Sequence, residues 1–163
     1  MSSLHGIIKI DFRMPQVNYS FEIKRNVTII SDDSGTGKSY FCSGLEEYLN
    51  EIAANRISGA TLAVSQPVAL RVLTPGIWNV MSKDKPVQDT IFFIDEAVGS
   101  FYFSKPFANF IKISGCYFVI FARDQLLPEL SVNEIYGLHY DSSTNTNVLV
   151  SRSDYDRLGH KIL

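Results

Sequence analysis

A four-residue β-rich run, Val27-Thr28-Ile29-Ile30, is followed after one serine by Asp32-Asp33-Ser34-Gly35-Thr36-Gly37-Lys38-Ser39, and then by an amphipathic helical pattern. This order commits the chain to a buried strand, a tight glycine-bearing turn and a helix. In the helical part, Phe41, Leu45, Tyr48, Leu49 and Ile52 recur on one face, while Glu46, Glu47, Asn50 and Glu51 fall on the other. The spacing predicts a helix starting near residues 37–39 and fraying around 54–56. Gly44 inside it costs about 1 kcal/mol of propensity relative to alanine, which suggests close packing of the helix on a sheet.

Strand patterns surround this unit. Ile8, Ile10, Phe12 and Met14 alternate with polar residues, as do Val17, Tyr19, Phe21 and Ile23 beyond Pro15-Gln16, and the two runs read as an antiparallel pair with one wet face. Residues 68–73 form a further strand candidate, stopped by Thr74-Pro75-Gly76, and a short helix is expected around 78–81. Ile91-Phe92-Phe93-Ile94 and residues 116–121 are continuously apolar, as befits strands covered on both faces. A second helix is expected over 106–113, since proline suits a first helical position. Residues 136–140 and 147–150 suggest a terminal hairpin, followed by a largely polar tail.

The predicted fold class is therefore α/β: a mainly parallel central sheet with antiparallel strands added at its edges. At 163 residues the chain fits a single domain. It divides into an N-terminal antiparallel hairpin (1–26), a core (27–123) and a C-terminal hairpin and tail (124–163). With 15 basic and 17 acidic residues the formal charge is -2, so charge gives no indication of a nucleic-acid surface. Cys42 and Cys116 each lie in apolar surroundings and read as buried thiols rather than a disulfide. The longest apolar run, 116–122, is too short to cross a bilayer, and a cytoplasmic location is expected without membrane insertion.

The loop is suited to anions. Successive backbone N–H groups at a helix N-terminus can converge on a phosphate, Gly35 and Gly37 let the chain wrap tightly, Lys38 adds a point charge, and the Ser39 hydroxyl can meet Mg²⁺. The segment resembles the Walker A motif of P-loop nucleoside triphosphatases, with Asp32 where that pattern has its first glycine. Asp32 and Asp33 can point outward, cap their own turn, or face the phosphates and weaken binding. Ile91-Phe92-Phe93-Ile94-Asp95-Glu96 looks like the Walker B motif of the AAA+, RecA-like and ABC branches.

The resemblance implies a three-layer P-loop NTPase fold and a Mg²⁺-dependent, slow ATP hydrolase acting with a protein partner or as a homo-oligomer. It implies nucleotide contacts from Ser34, Gly35, Thr36, Gly37, Lys38, Ser39 and Tyr40. Mg²⁺ would be held by Ser39 and, through water, by Asp95. Catalytic roles fall to Glu96 as base, Lys38, and Arg123 as nucleotide sensor or arginine finger, unless Arg123 is simply tied to a neighbouring carboxylate. A non-hydrolysing nucleotide switch or scaffold is the alternative reading, with a small-molecule kinase behind it.

The remaining features are less pointed. His5, His139 and His160 are scattered and imply no further metal. Phe101, Tyr102, Phe103, Phe107 and Phe110 are expected to cover the sheet, in part as a partner surface. Tyr19, Phe21 and Trp78 are candidates for packing near a base.

Overall fold

The computed structural model describes residues 6–24, 26–31, 38–81, 88–95, 105–122 and 135–151, with backbone alone for Lys38, Ser39, Ala122 and Ile135. Nine strands and three helices occur among them. They are β1 (Ile8–Arg13), β2 (Asn18–Ile23), β3 (Val27–Ser31), α1 (Lys38–Ala53), β4 (Thr61–Val64), β5 (Ala69–Val72), α2 (Pro75–Met81), β6 (Thr90–Asp95), α3 (Lys105–Ser114), β7 (Tyr117–Ala122), β8 (Ile135–Asp141) and β9 (Thr146–Ser151).

All nine strands belong to one sheet, in the order β4-β1-β2-β9-β8-β3-β7-β6-β5. β8, β3, β7, β6 and β5 run parallel, whereas β1 pairs antiparallel with both β2 and β4, and β8 pairs antiparallel with β9. The two groups are joined by a parallel pairing of β2 with β9, Asn18↔Thr146 to Ser20↔Val148.

The sheet cannot be flat. Its two end strands, β4 and β5, are consecutive in the chain and are separated only by residues 65–68. Nine strands laid flat would hold their outermost members about 38 Å apart. A four-residue connection reaches at most about 17 Å. The sheet therefore curls, through 292°, into a half-barrel.

The curl sorts the core into two layers. On the concave side, Phe41, Cys42 and Leu45 of α1 are buried among Ile10 and Phe12 of β1, Tyr19 and Phe21 of β2, Phe93 of β6, Phe121 of β7 and Leu138 of β8. Phe41 is central, with ring centroids 5.0 Å from both Tyr19 and Phe21, 5.2 Å from Phe93 and 5.6 Å from Phe121. Gly44 permits this fit, because an added Cβ would run into the Met14 thioether and approach the Phe12 ring. On the convex side, Trp78 and Met81 of α2 and Phe107 and Ile111 of α3 cover Ile29, Phe92, Ile94, Phe118 and Ile120. Trp78 meets Phe107 edge-on at 5.3 Å.

Several sequence expectations are corrected here. The hairpin β8–β9 and the pair β1–β2 are not edge strands on a mainly parallel layer. They lie inside the strand order, and the edges are β4, which the sequence pattern did not reveal, and β5. The three-layer P-loop NTPase fold is replaced by a curled mixed sheet that wraps α1 and carries two short helices on its outer face. The resemblance to AAA+, RecA-like or ABC proteins through the two Walker-like segments does not extend to the architecture. The readings built on that architecture fall with it: the ATP-hydrolysing enzyme, its switch or scaffold variant, and the kinase. Tyr19 and Phe21 are concave core residues and Trp78 a convex one, rather than packing for a base.

Candidate functional site

Strand direction defines one rim. β3, β5, β6, β7 and β8 are parallel and end there. β1 ends at the same rim, because it opposes β2, which runs with β9 against β8. Six residues separate the end of β3 from the start of α1, which therefore starts at this rim, as do β2 and β9. The carboxyl ends of parallel strands are where open α/β sheets take ligands, because helix N-termini and loop side chains gather there.

Asp95 ends β6 opposite Phe121 and is 9% exposed. It shares strand parity with Ile91 and Phe93 of the concave core, so its carboxylate lies on the α1 side of the sheet. Cys42 lies within its electrostatic reach. Burial pushes that thiol well above its ordinary value, and the negative charges of Asp95 and Glu46 push it further. Tyr19 is also raised, by burial first and then by Tyr40 and Cys42. The first turn of α1 carries no acidic residue, so nothing in the helix itself neutralises its positive end.

A frame of hydrogen bonds braces the other side of the helix start. The Tyr40 hydroxyl donates to Gln16 Oε1 in the β1–β2 turn. Asn145 Nδ2 donates to the Gln16 carbonyl at 2.9 Å, and Tyr140 Oη donates to Asn145 Oδ1 at 2.7 Å. The Asn18 amide donates to the Asn145 carbonyl at 2.9 Å. Asn145 has φ 53°, a left-handed conformation that asparagine tolerates better than most residues. Nearby, Asn147 is 6% exposed and lies between Tyr19 on β2 and Tyr140 on β8.

Of the nucleotide-contacting, metal and catalytic residues expected from sequence, Tyr40 and Asp95 are described with their side chains, both at this rim. Lys38 and Ser39 open α1 in backbone. Ser34, Gly35, Thr36, Gly37, Glu96 and Arg123 lie outside the described residues, as do Phe101, Tyr102 and Phe103. The polar frame of Gln16, Tyr140, Asn145 and Asn147 was not anticipated. Its signal was a hairpin tip, residues 141–146, whose asparagine and aromatic neighbours read as ordinary turn and strand chemistry. Among the described residues there is no group of three or more His, Cys, Asp or Glu side chains placed to hold a metal, and no helix long and apolar enough to cross a membrane.

A groove lined by Ser43, Glu46, Glu47, Asn50, Glu51, Arg56 and Ile57 lies along the outward side of α1. It is open to solvent and lacks the convergence of separate elements found at the rim. No family model matches the chain, and neither does any curated protein or solved structure.

Proposed function

We propose that this chain is a binding protein whose carboxyl-end rim takes a small phosphate-bearing anion together with a divalent cation. The carrying observation is the pairing of two opposite electrostatic elements: the acid-free first turn of α1 and the nearly buried carboxylate of Asp95. Helix N–H groups favour an anion. A carboxylate beside an anion is repulsive unless a cation lies between them. Mg²⁺ suits that place without a dedicated cage, since it keeps several waters and is held by one or two carboxylates plus ligand phosphates. The hard oxygen of Asp95 fits this donor chemistry. No chemical step is assigned to the site.

Inorganic triphosphate with Mg²⁺ is the first probe, and ATP with Mg²⁺ is a second, bulkier phosphate-bearing anion. Calorimetric titration should show binding that needs Mg²⁺. Asp95→Asn should weaken binding about tenfold or more in Mg²⁺ and change it little in a chelator. Absence of binding by both probes at millimolar concentration would overturn the reading, and so would an equal effect of Asp95→Asn with and without Mg²⁺. The two thiols, both free and buried, accord with a cytoplasmic setting.

A further inference from the structure

The two edges of the sheet approach each other without pairing. β4 runs antiparallel to β1 and so ends at the rim opposite the candidate site, where residues 65–68 carry the chain into β5. A connection of that length commonly closes a hairpin. Among the described residues, however, β4 pairs only with β1 and β5 only with β6. The curl of 292° is spread over the intervals between nine strands, so the part of the circle left open amounts to about two more intervals, the room taken by one strand. Two intervals span about 10 Å, within reach of the four-residue link.

The backbone on both sides of this gap is set for a further strand. The Ser65 amide donates to the Lys9 carbonyl at 2.9 Å, so ladder alternation turns the backbone groups of Thr61 and Ala63 toward β1 and those of Leu62 and Val64 away from it. The Ala69 and Leu73 amides donate to the carbonyls of Asp89 and Phe93 at 2.9 and 2.8 Å, which turns Leu70 and Val72 away from β6 in the same sense. The side chains of Leu62, Val64 and Leu70 are half-buried against the concave core, so apolar groups placed between them would complete its cover. On the convex side, Arg71 stands exposed on one edge, and Arg13 stands exposed beside Thr61 of the other.

We infer that this gap takes an extended peptide from a partner protein as an added strand, with apolar side chains turned inward and acidic ones turned outward to Arg13 and Arg71. Main-chain hydrogen bonds to Leu62, Val64, Leu70 and Val72 hold it, and its alternate side chains set the specificity. A strand filling the gap must have both of its own edges free. β4 and β5 of a second copy each have one edge paired already, which leaves a separate segment of chain as the occupant. The inference does not depend on the rim reading above.

The probe is a short, dye-labelled peptide that alternates valine with glutamate. Its controls are a valine–lysine counterpart and a copy N-methylated at the valines, which cannot donate to one edge of the gap. By fluorescence anisotropy the first should bind at least about tenfold more tightly than either control. Arg71→Glu should weaken it about fivefold and strengthen the lysine peptide, a gain that an unfolded variant would not show. Amide exchange followed by NMR should slow at Leu62, Val64 and Leu70 when the peptide is added, and stay unchanged at Ala63, which faces β1. Absence of binding at millimolar concentration would overturn the inference, as would equal binding of the glutamate and lysine peptides or undiminished binding of the methylated one. Protection of the Leu62 and Leu70 amides in the protein alone would also overturn it, because the gap would then be filled already by this chain or a second copy.

Discussion

The parallel and antiparallel halves of the sheet solve the same burial problem differently. β6 is buried at every position, because α1 lies on one side of it and α2 with α3 on the other. β1 alternates buried and exposed residues, because its concave face meets α1 and its convex face meets water. Within one continuous sheet, the number of covered faces dictates the side-chain pattern of each strand. Phe41 belongs to neither half alone. It touches Phe12, Tyr19 and Phe21 of the antiparallel strands and Phe93 and Phe121 of the parallel ones.

This contrast can be broken at that seam. Phe41→Ala should destabilise the fold by about 4 kcal/mol, since it empties the point at which both halves meet. Chemical denaturation should show it, and a loss below about 1 kcal/mol would mean that the halves hold together without α1.

A smaller effect should appear in alkali. Cys42 and Cys116 are raised by burial, and so are Tyr19 and Tyr117. In each case the folded state holds its proton longer than the unfolded state does. Stability is thus fully present below the ordinary thiol value of 9.0 and declines as pH rises past it. Each such thiol adds a slope of at most about 1.4 kcal/mol per pH unit. Cys42→Ala should flatten the profile between about pH 9 and 10.5. An unchanged profile would show that the seam is wetter than its burial implies.

The smallest effect belongs to the wet face. Glu22→Ala on the convex side of β2 should shift stability by no more than about 0.5 kcal/mol. A larger loss would reveal a contact on that face and weaken the contrast between the halves.

The legibility of the chain followed the range of the interactions involved. The β1–β2 pair, the fully apolar β6 and β7, and the helices α1 and α3 were readable because each pattern spans only a few turns or pleats. β4 escaped notice because Thr61-Leu62-Ala63-Val64 is short and only partly buried. The β8–β9 hairpin was recognised as a hairpin, but its position was not. Its place depends on a three-residue pairing between β2 and β9, strands about 125 residues apart in the chain. At the rim, Asp95 stood out as an acid ending an apolar run. Gln16, Asn145 and Tyr140 did not, because their importance lies in hydrogen bonds between two turns far apart in sequence.

Local side-chain periodicity by itself determined which segments become strands or helices and which of their faces seek cover, since that information resides in neighbours within a turn or a pleat. The order of the strands, the curl that folds them around α1, and the hydrogen bonds that link Tyr40 to Tyr140 through Gln16 and Asn145 were decided only in three dimensions. Those features depend on distant segments being present together, and on a four-residue link between β4 and β5 too short to let the sheet lie open.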